Sequence, residues 1–153
     1  MKLMVLALMA VAVFAASPVA TITSSSDFQL RGVTVNAAGV PSWPLLAGDT
    51  LKSGSTAATI RFTDGSMLTL APNSQIKVEN RSDSLAVRIL NGLLSFVPVP
   101  STSVHVYSGG TAVQARSNVA TTVAAPGTAE GFASNLVKTP PPPDPTPSPL
   151  SRQ

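Results

Sequence analysis

Apolar and polar residues alternate over much of the middle of the chain, a pattern typical of strands with one buried face. The clearest example is Ala57–Leu70, where two alternating runs flank Asp64-Gly65. Asp-Gly, Asn-Gly and Gly-Gly pairs tolerate the positive φ angles of tight turns, so such a pair between two β-prone runs predicts a β-hairpin. No convincing long helix is found, and residues 119–137 are interrupted by proline and glycine.

Four segments fit the hairpin pattern. They are residues 28–35 around Gly32, 58–70 around Asp64-Gly65, 85–97 around Asn91-Gly92, and 104–115 around Gly109-Gly110. Directly paired residues share a face of a hairpin, so the positions of the apolar residues predict the length of each loop. The pattern favours two-residue loops at the Asn-Gly and Gly-Gly pairs, which would pair Ile89 with Leu94 and Val106 with Val113.

The Asp64-Gly65 turn requires a longer loop. A two-residue loop would place Leu68 and Leu70 on the same face as Arg61, whereas a three-residue loop over 63–65 places them with Ile60 and Phe62. Gly65 then takes the left-handed position of a type I turn with a bulge. Residues 75–79 also alternate like a strand, and 80–84 are polar like a loop. The chain is therefore predicted to be all-β, a small sandwich or roll of consecutive hairpins.

The two ends of the chain differ from this middle part. Lys2 is followed by an apolar run from Leu3 to Ala16 and then by small residues and Pro18, which predicts a secretory signal peptide. Cleavage would fall near 15–17 or after Ala20, and an uncleaved N-terminal anchor is the alternative. The apolar run is short for a membrane span, and only two residues precede it, so no cytoplasmic segment is expected.

The C-terminal segment Lys138–Gln153 is so rich in proline that it cannot pair in a sheet. We predict a disordered spacer, with a ligand for a proline-binding domain or a tether to wall polymer as alternatives. The expected organisation is a signal peptide at 1–20, a β domain at 21–125 and a low-complexity proline-rich tail at 126–153.

Composition excludes several classes of site. Charged residues make up only 11% of the chain, and the absence of cysteine rules out disulfides, thiolate metal sites and cysteine nucleophiles. The formal charge is +3, but the ten lysines and arginines form no basic block along the sequence. Arg31, Arg61 and Arg88 lie between apolar residues and are expected to face solvent. Nucleic-acid binding is therefore not predicted.

No catalytic, cofactor-binding or metal-binding residue is predicted. His105 is the only histidine and should face outward from its strand, and the carboxylates lack the spacing of a glycosidase pair or a calcium site. Asp49 and Asp64 are interpreted as turn formers, although their meeting His105 in a cleft would indicate an enzyme. Trp43, the only tryptophan, is expected to cover the core, with a partner contact as the alternative.

The region 45–96 resembles the FecR-type domain of bacterial periplasmic proteins. The resemblance rests on a Gly-Asp turn, a β run, an Asp-Gly-Ser turn, a leucine-containing strand with a polar serine after it, and a second glycine turn. The motif residues, interpreted as mainly structural, are Gly48, Asp49, Asp64, Gly65, Ser66, Asn91 and Gly92. The resemblance implies an all-β extracytoplasmic domain, and named members of the family pass a signal from an outer-membrane transporter to a cytoplasmic sigma factor.

Together these features predict a bacterial protein of the periplasm or the extracellular medium. It would be a non-enzymatic binding module for a protein or an envelope polymer, with no nucleic-acid partner, no cofactor and no stable membrane insertion after signal cleavage. The alternative is an accessory in FecR-like transmembrane signalling that senses a receptor partner but has no sigma-factor-contacting segment of its own.

Overall fold

The computed structural model describes residues 16–127, and these residues form strands, turns and loops without a helix. The strands, in chain order, are β1 Ala20–Ser24, β2 Phe28–Leu30, β3 Val33–Val35, β4 Trp43–Leu45, β5 Thr50–Lys52, β6 Ala58–Phe62, β7 Met67–Leu70, β8 Gln75–Arg81, β9 Ser84–Asn91, β10 Leu93–Val97, β11 Val104–Ser108, β12 Thr111–Ala112 and β13 Thr121–Ala124. The prediction of an all-β fold is confirmed.

The strands form two sheets. Sheet 1 has the order β13-β10-β7-β6-β1-β4, and sheet 2 has the order β12-β11-β9-β8-β5-β2-β3. All neighbours are antiparallel except β9 and β11, which run parallel because the chain passes through β10 of sheet 1 between them. The chain repeatedly changes sheets, so the domain is a sandwich built from hairpins that alternate between its two layers.

The inward faces of both sheets contribute to one hydrophobic core. Ile60 and Leu68 from sheet 1 and Ile76 and Val87 from sheet 2 have no solvent exposure and belong to the same buried cluster. In β6 the residues alternate between buried and more exposed positions, as the period of two in a strand requires. Burying such a side chain fully contributes about 1.5–3 kcal/mol, so this alternation provides the main driving force for packing the sheets together.

Three of the four predicted hairpins are confirmed. Residues 28–35 form the β2–β3 hairpin, and β11 pairs with β12 across Gly109-Gly110, although β12 ends at Ala112 rather than at residue 115. In the β6–β7 hairpin Ile60 lies opposite Leu68, and Gly65 has a φ of 93°. This register gives the three-residue loop that the positions of the apolar residues predicted.

The predicted hairpin at Asn91-Gly92 is wrong. The strands β9 and β10 lie in different sheets, so Ile89 and Leu94 are not cross-strand partners, although both are buried in the core. Only Gly92 separates the two strands, and a two-residue turn is the shortest common hairpin connection. Gly92, with a φ of 81°, forms a corner where the chain passes from sheet 2 to sheet 1.

The strand predicted at 75–79 pairs instead with β9, in a hairpin that the sequence pattern did not reveal. Arg81 lies opposite Ser84, which leaves a loop of only Ser82 and Asp83. The polar loop predicted over 80–84 is therefore wrong in its extent. Polar residues at its ends continue the strands because the end of this hairpin is exposed on both faces.

β1 begins at Ala20, the last residue of the predicted signal peptide, and lies between β4 and β6 inside sheet 1. Ile22 has no solvent exposure, and the adjoining Val19 N–H donates to the carbonyl of Leu45. The predicted signal sequence up to residue 15 and the predicted tail from residue 128 lie outside the described residues. Within residues 16–127 no helix is long and apolar enough to cross a membrane.

The complete burial of Ile22 in β1 predicts that Ile22→Ala lowers the free energy of unfolding by about 2–5 kcal/mol, because it leaves a cavity between the sheets. Thr23→Ala, on the exposed face of the same strand, is the matched control and should change stability by less than about 0.5 kcal/mol. Urea denaturation measures both. Equal, small effects would show that β1 does not belong to the core.

Candidate functional site

The first motif turn, Gly48-Asp49, joins parts of sheet 2. The Gly48 N–H donates to the Val78 carbonyl at 2.7 Å, and Gly48 has a φ of 95°. The Asp49 carboxylate, which is buried, accepts a hydrogen bond from the Leu46 N–H at 2.9 Å and two from the Arg31 guanidinium, at 2.5 and 3.2 Å. This bidentate pair raises the pKa of Arg31. Asp49 therefore binds the backbone of its own turn and the side chain of Arg31.

The second motif turn, Asp64-Gly65-Ser66, connects β7 to the segment between β10 and β11. Asp64 accepts hydrogen bonds from the Ser66 N–H at 2.8 Å and the Thr102 hydroxyl at 2.7 Å. The buried Ser66 hydroxyl donates to Thr102 Oγ1 at 2.9 Å and accepts from the Val99 N–H at 3.2 Å. Burial raises the pKa of Asp64, but these hydrogen bonds outweigh it, so its pKa lies below the ordinary value.

Gly92 packs against the buried Ser74, whose hydroxyl accepts a hydrogen bond from the Leu93 N–H at 3.1 Å. A Cβ at residue 92 would lie 2.1 Å from Ser74 Oγ, so only glycine fits. The Ser74 N–H in turn donates to the hydroxyl of buried Ser53, which donates to the Ala71 carbonyl at 2.5 Å. Asn91, the residue before this corner, is exposed.

The candidate catalytic side chains make separate contacts. Asp49 binds Arg31, Asp64 binds Thr102, and His105 lies exposed on β11. A polar cleft of about 240 Å³ lies beside Asp64, lined also by the 80–85 turn region and Ser103. Over residues 16–127 no group of three or more histidines, aspartates and glutamates is arranged to hold a metal ion.

Trp43 lies on β4 at an edge of sheet 1, opposite Ile22. Its ring is partly buried and packs edge-on against Phe28, with ring centroids 6.4 Å apart and an interplanar angle of 78°. Such edge-to-face pairs contribute about 0.5–1.5 kcal/mol beyond area burial. Trp43 thus packs on the core, and a role in contacting a partner stays a prediction.

A basic surface that sequence analysis missed lies on the outward side of sheet 2. We define the basic face as Lys52, Lys77, Arg81 and Arg88 together with Glu79 and Tyr107. Lys77 lies directly opposite Arg88, and Arg88 lies opposite Tyr107, so these three form a row across β8, β9 and β11. The remaining lysines and arginines of residues 16–127 are Arg31, Arg61 and Arg116.

The basic face has more positive than negative charge. Glu79 is its one carboxylate: one oxygen lies 3.2 Å from Lys77 Nζ and the other 3.6 Å from Arg88 Nη2. The hydrogen bond from Lys77 is the main reason that the pKa of Glu79 lies below its ordinary value, with the charges of Arg88 and Arg81 acting in the same direction. The four cations therefore share a single internal counter-charge.

One of the cations, Arg81, is held in position by a neighbouring side chain. The Arg81 guanidinium lies over the ring of Tyr107, 4.6 Å from its centroid, and donates to the Tyr107 hydroxyl at 3.2 Å. Ala86, an outward residue of β9, is nevertheless buried, and its cross-strand partners are Glu79 and His105. The long side chains of this face thus lie across the sheet and cover it.

The signal for this face was present in the sequence but incomplete. Lys77, Glu79 and Arg81 occupy alternate positions of one strand, so a shared face follows directly. Arg88 joins them only through the β8–β9 pairing, which the sequence pattern assigned differently. Scattered charges along the chain are therefore gathered on one side of the fold.

Comparison with known proteins gives a family match. The family model described as FecR protein matches residues 49–130, more than half of the chain. No curated protein matches, and no solved structure matches. The matched region contains four strands of sheet 1 and five strands of sheet 2, together with the Asp64, Ser66 and Gly92 contacts described above.

The contact at Gly92 predicts that Gly92→Ala destabilises the domain by about 2 kcal/mol or more, because alanine is strained at this φ and collides with Ser74. Gly110→Ala is the matched control, since a Cβ there meets nothing within 4 Å and its φ is not positive. Thermal and urea unfolding of the two variants should therefore differ clearly. Similar stabilities would contradict the corner geometry.

The Asp64 contacts predict a pH-dependent contribution to stability. Because the folded-state pKa is lowered, this contribution is present above the ordinary value of 3.8 and is lost as the pH falls through the folded value. Asp64→Asn should thus be less stable than the parent near neutral pH, and the difference should shrink at about pH 2.5. Urea titrations across this range measure it, and a constant difference would contradict the assignment.

Proposed function

The chain belongs to the FecR protein family, and from this membership we propose that it is an exported, non-enzymatic binding module of the bacterial cell envelope. FecR-family proteins take part in envelope signalling with receptor and sigma-factor partners, and their FecR domains are periplasmic. The observation that carries the proposal is the basic face of sheet 2. It carries four cations and one carboxylate on an open sheet surface, and two of the cations, Lys77 and Arg88, pair with that carboxylate.

The motif residues support this assignment by their use inside the fold. Asp49, Asp64 and Ser66 direct their polar atoms to backbone groups and neighbouring hydroxyls. These hydrogen bonds satisfy backbone groups in the turns and in the segments that cross between the sheets, which would otherwise be unpaired. The carboxylates and the hydroxyl therefore have a structural role. The surface left for a partner is therefore the outward side of the sheets, and sheet 2 carries the greater concentration of charge there.

The position of β1 bears on how the proposed export would occur. The Val19 carbonyl accepts a hydrogen bond from the Thr63 N–H at 3.1 Å, and the Val19 N–H donates to the Leu45 carbonyl at 2.9 Å. Cleavage after Ala20 would remove these two hydrogen bonds and the buried Ala20 side chain. Processing before Val19 retains the whole strand, and we favour it over the later site.

Family membership also favours a second candidate, an accessory in FecR-like transmembrane signalling that senses a receptor partner. In this role the domain would still act through its surface. The two candidates differ in the identity of the component bound to the basic face.

Site-specific photo-crosslinking in the intact envelope tests the proposal. We would place a photoreactive amino acid at His105, exposed on sheet 2 beside the basic face, and at Thr69, exposed on the outer side of sheet 1, as the control. We expect the processed protein in the periplasmic or extracellular fraction and a discrete adduct from residue 105 only. The same adducts from both positions, or none from residue 105, would contradict it.

The mass and composition of the adduct then separate the candidates. An outer-membrane receptor bound at residue 105 supports the signalling accessory. Another envelope protein or an envelope polymer supports the general binding module.

A further inference from the structure

Building on the proposed function, we propose that the basic face binds an extended acidic segment of a protein partner lying along β8. The inference specifies the ligand chemistry that the binding module would recognise. It rests on three features of the face: the internal carboxylate, the spacing of the cations and the open form of the sheet surface.

The internal carboxylate shows what kind of anion the face accommodates. Glu79 places its two oxygens toward different cations, Lys77 at 3.2 Å and Arg88 at 3.6 Å. The distance to Arg88 exceeds that of a charge-assisted hydrogen bond, about 2.7–2.9 Å, so the guanidinium is only loosely engaged. The Arg88 side chain is 39% exposed, so a second carboxylate approaching from solvent would engage its guanidinium more fully.

The spacing of the cations matches an extended polypeptide. Lys77 and Arg81 lie on one face of β8 four residues apart, with Glu79 between them. Same-face residues of any extended chain recur every two residues, or about 6.8 Å, so side chains four residues apart in a peptide running beside β8 match the backbone positions of Lys77 and Arg81, and the side chain between them faces Glu79. Arg88, one strand away from Lys77, widens the positive row by about 4.8 Å.

The form of the surface also suits such a segment. The row Thr50–Lys77–Arg88–Tyr107 crosses four adjacent strands and provides an open surface rather than an enclosed pocket. Arg81 is already oriented by Tyr107, which reduces the side-chain entropy that binding would cost. Lys52, exposed on β5 opposite Gln75, extends the positive surface toward β2.

The test uses the folded chain purified from the envelope fraction and a fluorescent peptide of alternating glutamate and threonine. Fluorescence anisotropy at low salt should show saturable binding that weakens as salt is added, because the contacts are solvent-exposed and screened. An alternating lysine–threonine peptide is the negative control. Polyuronate, polyphosphate and duplex DNA are titrated in parallel to distinguish a carboxylated polysaccharide, a phosphate polymer and a nucleic acid.

Charge variants locate the binding. Arg88→Gln and Lys77→Gln should each weaken peptide binding roughly two- to fivefold, whereas Glu79→Gln should strengthen it by a similar factor because it removes the competing carboxylate. Arg61→Gln, which removes the same charge from the exposed side of sheet 1, is the matched control and should leave binding unchanged. Thermal unfolding confirms that each variant is folded.

A gain in Glu79→Gln together with losses at residues 77 and 88 supports the proposal. It is overturned if Arg61→Gln weakens binding as much as Arg88→Gln, if Glu79→Gln gives no gain, or if only polyuronate, polyphosphate or DNA binds. If the peptide fails while residue 105 still gives a discrete envelope adduct, the ligand chemistry is wrong and the binding module stands. Failure of both experiments would reject the proposed function itself.

Discussion

The fold depends on passing the chain between two sheets without leaving buried backbone groups unpaired. At such crossings the N–H and C=O groups leave one ladder before they enter the other, and an unpaired buried group costs about 1–3 kcal/mol. Small hydroxyl side chains supply the missing partners here. The Ser74 hydroxyl accepts a hydrogen bond from the Leu93 N–H where the chain passes from β9 to β10. The Ser66 hydroxyl accepts one from the Val99 N–H where the chain leaves sheet 1.

This use of hydroxyl groups is consistent with the unusual composition of the chain. Only 11% of residues are charged and no cysteine is present, so neither disulfides nor many ion pairs stabilise the domain. A buried serine is small enough to lie within the layer between the sheets, and its single oxygen can donate one hydrogen bond and accept others. Ser53 does both, donating to the Ala71 carbonyl and accepting from the Ser74 N–H.

The sequence predicted those features that depend on neighbouring residues. The alternation that places Ile60, Phe62 and Leu68 on one face was sufficient to predict the three-residue loop at Gly65. Both the length of this turn and the burial of the residues beside it can be inferred from neighbouring positions in the sequence. Asn91-Gly92 has the same local signature as a hairpin, but its backbone forms a corner that depends on Ser74, seventeen or more residues earlier. β1 was missed because its first residue overlaps a segment whose composition indicates a signal peptide. The basic face required the β8–β9 register, which involves the whole sheet.

The division between inward and outward residues explains why the family motif carries little information about the partner. Gly65 and Gly92 are constrained by positive φ angles, and Gly92 also by its contact with Ser74. Ser66 is constrained by its burial and by the hydrogen bond that its hydroxyl accepts from the Val99 N–H. Lys77 and Arg88 face outward and make no contribution to the buried cluster, so the fold does not require their charge. Outward positions of a sheet can therefore change while the crossings stay fixed, and the binding specificity of such a domain must be inferred from its exposed faces rather than from its motif.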